Sequence, residues 1–364
     1  MATESGVSET PIRTSIEMTE SALYHPADGA DVSSPPASGR GLPEIPLLEV
    51  GPDFGYETLE RELARAHQLL DSATARVPRS ALKTLDAVSR RWLVRWSNRH
   101  LGEIDRIARR LDRPGAYFLS VNYEWGCTCR VAPSPDGTTA RLVRVLDWKT
   151  EGLGRYVLAA RVKGAAGPFT TLTWPGYTGV LQAVAPGRFA AALNQAPMRK
   201  SVGYYYLDWA ASRPRVWSMP HDTPAHLLRH VFETAENFDD ARRMLTSTPI
   251  SSAAIFSLAG LAPGETVVIE RRETDANVHR GAQVAANHWQ AFGWHGHARG
   301  EDSGGRAGRG GGVSTEFYPS FPWLTAPTLT DNTRRAMAAG ATSGRGVAQG
   351  FEARRAATAP LSIG

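Results

Sequence analysis

The sequence predicts an α+β chain, with helices gathered in an N-terminal segment and a strand-rich region after it. Apolar residues recur at three- and four-residue spacing in three successive stretches between Leu59 and Leu111, the period of helices with one buried face. From Cys127 to about Leu193 the texture changes to short apolar runs broken by Gly, Pro and Asp, which reads as consecutive strands. The chain has 364 residues, 42% apolar and 21% charged, long enough for a sizeable core and unlike a disordered composition.

Taken in order, residues 1–42 are rich in Ser, Thr, Pro and Gly, as in Ser33-Ser34-Pro35-Pro36, and read as a disordered tail. Ile45–Val50 is a strand candidate. Leu59, Leu63, Ala66 and Leu70 mark the first helix. Leu82, Leu85, Val88, Trp92 and Trp96 mark the second, after a Pro78/Ser80 start, and the Trp pair reads as core. Leu101, Ile104, Ile107 and Leu111 mark the third, which stops at Pro114-Gly115. Ala116–Val121 reads as a strand. Cys127–Ala132 and Arg141–Trp148 form a hairpin around a turn at Pro133–Thr139. Helices are expected at Pro224–Glu233 and Phe238–Thr246, the second capped by Asn237 or Asp239. Strands return at Ile255–Leu258, Thr266–Ile269 and Gln283–Ala286. The Gly-rich run Gly300–Gly312 reads as a mobile loop; an RGG-type RNA contact fits poorly, because the run is short and lacks aromatics. No internal repeat is visible.

Several function classes are excluded at this level. Net charge is +5, much of it in Glu57–Arg113, where 13 Lys/Arg face 8 Asp/Glu. That surplus attracts acidic partners or a membrane surface weakly, and is no dense nucleic-acid-binding stripe. No apolar stretch reaches transmembrane length, and the start lacks a basic segment followed by an apolar run, so a cytoplasmic protein is expected. The two cysteines, Cys127 and Cys129, are too close for a good disulfide and too few for a thiolate zinc site. His288, His295 and His297 are close in sequence but lack a carboxylate set, so no metal is expected. The G-x-S-x-G, H-E-x-x-H, Walker A and full G-x-G-x-x-G patterns are absent.

The segment that carries chemistry is Gly126-Cys127-Thr128, followed by Arg144-Val145-Leu146-Asp147-Trp148. Folding the hairpin back brings Arg144 and Asp147 toward the first strand's start, placing a thiol beside a guanidinium and a carboxylate. A nearby cation lowers a thiol's pKa, and the thiolate is the nucleophile. These residues resemble the acid ceramidase and N-acylethanolamine acid amidase group of N-terminal-nucleophile (Ntn) hydrolases, alongside choloylglycine hydrolase and penicillin V acylase. The resemblance continues through Trp174–Leu181, Pro186–Gln195, Val267–Arg271, Ala286-Asn287-His288-Trp289 and Asp302–Arg306. It departs at Cys129, where the family usually has Ser, at Val145, where it has Asn, and at Asn194-Gln195-Ala196, where Asn-Glu-Arg is common.

What the resemblance implies is specific. The fold would be an αββα sandwich of two antiparallel sheets over 127–364, preceded by a helical segment at 43–126 that acts as a prosegment. The chain would cut itself between Gly126 and Cys127, and the pieces would stay associated. Cys127 would attack an amide carbonyl, with its freed α-amine as base. Asp147 would hold that amine, Arg144 would hold Asp147 and the thiolate region, and Asn287 would donate to the oxyanion. Asn194 and Arg306 carry over as further site positions. The substrate would be a small N-acyl amide cleaved at a linear, non-peptide C–N bond without a cofactor, and Trp125, Trp148, Trp174 and Trp289 either line an acyl pocket or pack the core. Three rivals stand beside this reading: acyl transfer, a penicillin- or bile-salt-type amide substrate, and an inactive fold that binds lipid or an acidic partner. Cys129 reads as a small core or pocket-wall residue.

Overall fold

The computed structural model describes residues 41–75, 77–121, 126–148, 150, 152–300, 302–311, 333–352 and 355–363. Residues 1–40 of the expected tail, and Trp125, lie outside these. The chain runs β1 (Leu47–Val50), α1 (Phe54–Arg61), α2 (Leu63–Thr74), α3 (Arg79–Arg95), α4 (Leu101–Leu111) and α5 (Ala116–Val121). Then come β2 (Gly126–Pro133), β3 (Ala140–Asp147), β4 (Leu158–Gly164), β5 (Gly167–Thr173), β6 (Gln182–Ala185) and β7 (Phe189–Gln195). Helices α6 (Tyr205–Ser218), α7 (Pro224–Thr234) and α8 (Phe238–Ser247) precede β8 (Ala254–Ala259), β9 (Thr266–Arg271), β10 (Ala276–Arg280) and β11 (Gln283–Ala285). Helix α9 (Ser303–Gly311) and strands β12 (Thr333–Ala339), β13 (Gly346–Glu352), β14 (Arg355–Ala356) and β15 (Leu361–Ile363) complete the described chain.

The α+β class holds. One sheet has the order β1-β4-β5-β6-β7-β8-β9-β10, the other β11-β2-β3-β12-β13-β14, with β15 on β13. Strand neighbours are antiparallel except β1, which lies parallel to β4 with Leu47 opposite Ala159. The sheets stack through β2 and β3 against β7, β8 and β9. Their facing side chains, Cys127, Cys129 and Leu146 among them, belong to one buried apolar cluster. Helices α7 and α8 cover the other face of the first sheet, where Phe232 of α7 packs 5.3 Å from the Phe169 ring and 4.9 Å from Phe189. Truncating such a ring to Ala removes about 3–5 kcal/mol. Helix α9 lies against β2 and β11 of the second sheet.

Local chemistry explains the boundaries. The Thr223 hydroxyl accepts from the His226 amide at 3.2 Å and Pro224 opens α7, while Asn237, rather than Asp239, caps α8 by accepting from the Asp240 amide at 2.9 Å. The N-terminal helices are tied to the sheet layer by Arg229 of α7, which donates to Glu103 of α4 at 2.6 Å, both side chains being at most 3% exposed.

Three expectations fail. The one helix expected across Leu59, Leu63, Ala66 and Leu70 is two, α1 and α2, broken at Glu62 with φ −124° and ψ 38°. Ala116–Val121 is a helix, not a strand, because Asp86 of α3 caps it: its carboxylate accepts from the Gly115 and Phe118 amides at 2.6 and 2.8 Å. A tertiary cap overrides the apolar, aromatic composition. The Gly-rich run is also no simple loop, since Ser303–Gly311 is helical, started by Asp302 accepting from the Gly305 amide at 3.0 Å. Helix α6 and strand β10 carry no sequence signal. In α6 the apolar spacing is lost and Tyr206 and Leu207 face solvent. Its start is fixed by Asp208, whose carboxylate accepts from the amides of Ser201, Val202 and Gly203 at 2.7–3.0 Å.

Candidate active site

The hairpin forms in the expected register, with Gly126 opposite Asp147, Cys127 opposite Leu146 and Cys129 opposite Arg144. Side chains alternate along a strand, so Arg144 and Cys127 share the face turned to the first sheet. Asp147 lies three residues from Arg144 and so occupies the opposite face. The expected Arg144–Asp147 pair therefore does not form. Instead the Arg144 guanidinium, fully buried, donates to the Cys127 sulfur at 3.0 Å, the Leu193 carbonyl at 2.7 Å and Gln182 Oε1 at 2.5 Å. From the other face Arg306 of α9 takes the place expected of Arg144, with its guanidinium 3.8 Å from the buried Asp147 carboxylate.

Residue 127 is held at three points. Its amide donates to Asn287 Oδ1 at 2.7 Å, its carbonyl accepts from Arg306 Nη1 at 2.5 Å, and its sulfur meets Arg144. Arg306 also donates to Asn287 Oδ1 at 2.9 Å and to the Thr128 hydroxyl at 3.1 Å. In this geometry the Asn287 side-chain NH2 is committed to the Gln195 carbonyl at 2.7 Å, so Asn287 serves residue 127 as an acceptor. The Asn287 amide is itself fixed by Ser303 Oγ at 2.8 Å, the first residue of α9. Asn194 sits nearby on β7, fully buried; its NH2 donates to the Ala285 and Ala286 carbonyls at 3.0 and 3.2 Å, and its Oδ1 has no hydrogen-bond partner among the described residues.

Backbone approach is close at the junction before Cys127. Gly300, with φ +69°, packs on Gly126, and a Cβ on Gly300 would lie 2.9 Å from both Gly126 Cα and Arg306 Nη2. Only glycine suits that position.

The two thiols differ. Burial pushes the Cys127 thiol up, opposed by Arg144 and Arg306. Burial pushes Cys129 up to about 12, eased by a hydrogen bond with Ser257. Cys127 has two cations at hand, and Cys129 points into the core. Sequence reasoning missed Arg335, a fully buried guanidinium on β12 that donates to the Leu172 carbonyl at 2.7 Å and lies 4.2 Å over the Trp174 ring. Burial lowers its pKa well below the ordinary arginine range, with Arg144 adding to that and Cys127 opposing it. Its link to the site depends on a tryptophan 161 positions upstream, which no local pattern reveals.

Trp148 and Trp174 meet edge to face at 5.8 Å and line an apolar cavity with Leu153, Tyr177 and Leu181 on one side and α2, α4 and α5 on the other. Trp289 instead packs on Trp294 at 5.1 Å. Among the described residues no group of three or more His, Cys, Asp or Glu could hold a metal ion. The three late histidines are not gathered: His288 contacts Ser303 Oγ at 2.9 Å, and His297 pairs with Asp208 at 2.9 Å. No described helix is long and apolar enough to cross a membrane.

Comparison with known proteins bears out the resemblance to acid ceramidases. A probable acid ceramidase of Caenorhabditis elegans is 28% identical over 213 residues, 53% of this chain and 52% of that protein. Human acid ceramidase is 32% identical over 106 residues, 28% of this chain and 25% of that protein. The chain thus aligns with about half the length of the nematode relative and a quarter of the human one. Among solved structures, an N-acylethanolamine-hydrolyzing acid amidase ortholog of C. elegans is similar at 20% identity and a TM-score of 0.46, covering 58% of this chain and 92% of that one. No family model matches.

Proposed function

We propose that this chain is a cysteine amidohydrolase that splits the C–N bond of small N-acyl amides, activated by a cut between Gly126 and Cys127. One observation carries the reading: residue 127 is gripped at its nitrogen, carbonyl and sulfur by the buried Asn287, Arg306 and Arg144. The similarity to acid ceramidases supports the same chemistry.

In the uncut chain the Cys127 sulfur attacks the Gly126 carbonyl carbon, the C–N bond breaks, and the proton passes from sulfur to the departing nitrogen. The shift frees the α-amine of Cys127, and water then hydrolyses the resulting thioester, leaving a carboxylate on Gly126 and restoring the Cys127 thiol. In turnover the same sulfur attacks the substrate carbonyl while the α-amine takes the thiol proton and returns it to the leaving amine, and water, deprotonated by that α-amine, then hydrolyses the acyl-cysteine thioester to release the acid and restore the thiol. Asn287 Oδ1, already 2.7 Å from this nitrogen, orients it. Arg144, 3.0 Å from the sulfur, stabilises the thiolate. The apolar cavity at Trp148 and Trp174 suits the acyl group. The N-terminal piece stays attached through β1 in the sheet and the buried Glu103–Arg229 pair.

Intact-mass measurement tests the cut, with pieces corresponding to residues 1–126 and 127–364 expected from wild type. Cys127→Ala should give one uncut chain and no hydrolysis of a labelled N-acyl amide, whereas Cys129→Ala should keep most of both. The reverse pattern would identify Cys129 as the working thiol, and an uncut, inert wild type would favour a binding module.

A further inference from the structure

The second sheet turns a row of paired residues toward the first. Cys127 of β2 lies opposite Leu146 of β3, and Leu146 lies opposite Arg335 of β12. Directly opposed residues share a sheet face, so Arg335 stands two strands from Cys127 on the same side. Strand spacing makes that about 10 Å between backbones.

This arginine is poorly matched where it sits. It is fully buried, lies 4.2 Å over the Trp174 ring and donates through Nη1 to the Leu172 carbonyl at 2.7 Å. Its Nε and Nη2 meet no acceptor among the described residues, and neither do Arg144 Nε and Gln182 Nε2. The layer between the sheets thus holds more buried donors than acceptors, together with two buried cations. The groups whose charge acts on Arg335 are Arg144, Cys127 and Tyr177, and none is a carboxylate. A guanidinium stays protonated inside proteins, so its charge calls for an anion. A phenol ordinarily ionises only near pH 10, which leaves the Cys127 sulfur as the group able to supply one.

The other charged and titratable groups at the sulfur are Arg144 and Asp147 of β3, Arg306 of α9 and Cys129 of the same strand. The buried polar residues Gln182 of β6, Asn194 of β7 and Ser257 of β8 are neutral. Glu270 of β9 is taken up by His279 and by the Gln290 and Ala291 amides. We propose that Arg335 is an electrostatic positioning residue, a second cation behind Arg144 whose field favours the Cys127 thiolate. It makes no bond to the sulfur, and the proposal takes Cys127 as the working thiol, as the amidohydrolase reading does. Unit charges about 10 Å apart, at an effective dielectric constant of about 20, shift an ionisation by about one pH unit.

The test uses the full-length protein and reads thiolate ultraviolet absorbance from pH 5 to pH 10, as the difference from Cys127→Ala. Arg335→Met should raise the midpoint by about one pH unit, because a neutral side chain no longer favours the anion. Its melting temperature should hold or rise, since an unmatched buried charge has been removed. Arg335→Lys keeps the charge and should stay within about 0.3 pH unit of wild type. The acid limb of kcat/KM for a labelled N-acyl amide should move up with the midpoint. If Arg335→Met does not fold, Arg335→Gln takes its place, because it keeps a donor for the Leu172 carbonyl. An unmoved midpoint in the neutral variant marks Arg335 as structural and overturns the proposal. So does a Lys variant that shifts as far as the neutral one, or a wild-type thiol still protonated at pH 10. Those results leave the amidohydrolase reading standing wherever wild type still hydrolyses the amide. A thiolate signal lost in Cys129→Ala and kept in Cys127→Ala overturns that reading and this one with it.

Discussion

Arg229→Met strands the Glu103 carboxylate between the N-terminal helices and the sheet layer. The two side chains are 3% and 2% exposed, and the guanidinium donates at 2.6 Å to Glu103, at 2.8 Å to Glu233 and the Thr178 carbonyl, and at 2.5 Å to the Pro52 carbonyl. Removing one partner of such a pair leaves an uncompensated buried charge and costs about 3–5 kcal/mol. Burial already raises the Glu103 pKa, and Arg229 is the largest influence holding it down. In the variant that pKa climbs further. A raised carboxyl pKa destabilises above the ordinary value of 4.5, and the penalty fades once both states are protonated. The loss relative to wild type should therefore be larger at pH 7.5 than at pH 5. Urea unfolding followed by tryptophan fluorescence measures it at both pH values, and adding Glu103→Gln should restore about 2 kcal/mol at pH 7.5. A loss under about 1 kcal/mol, or one indifferent to pH, would refute the view that this pair clamps the N-terminal segment to the sandwich.

The remaining predictions concern acid, glycine and thiol chemistry. His226 is fully buried, in contact with Thr178 Oγ1 at 3.0 Å, and burial lowers its pKa from 6.5 to about 3. A neutral buried histidine contributes stability above its unfolded pKa and loses it as pH falls below 6.5, so wild type should lose about 2 kcal/mol by pH 5 from this group. Thermal melts across pH 5–8 should show the decline, and His226→Asn should make it shallower by that amount, the remaining fall belonging to the neighbouring His100, which burial also holds neutral. Gly300→Ala should cost about 1–2 kcal/mol for its left-handed backbone and slow the Gly126–Cys127 cut by pushing Arg306 aside; a time course of chain cleavage reads the second effect. In folded Cys127→Ala, Cys129 should resist iodoacetamide at pH 8 for hours, since its thiol sits near 12, and rapid labelling would contradict its placement in the core.

The hairpin was legible because its strands alternate and its turn carries Pro135-Asp136-Gly137, with Gly137 at φ +70°. Asn237 was legible for the same local reason. Ala116–Val121 was not, because the group that makes it helical, Asp86, lies outside any local window. At the site, Cys127, Arg144, Asn287 and Arg306 stood out in the sequence, but their pairing did not. The three-residue step from Arg144 to Asp147 already placed them on opposite strand faces, a parity argument that the resemblance overrode. Arg335 depends on strand order, which single-sequence patterns do not encode.

The parallel strand β1 gives the molecule a seam. Whatever the fate of the Gly126–Cys127 bond, β4 is bordered on one side by residues from the first third of the chain. A protein started at residue 127 would present the backbone of Leu158–Gly164 as a raw sheet edge, a template for pairing with any other strand. Synthesis as one polypeptide delivers β1 before β4 exists, so the edge is closed as it is made. Recombinant production of the C-terminal piece therefore calls for the N-terminal piece in the same cell, or the product will associate with itself.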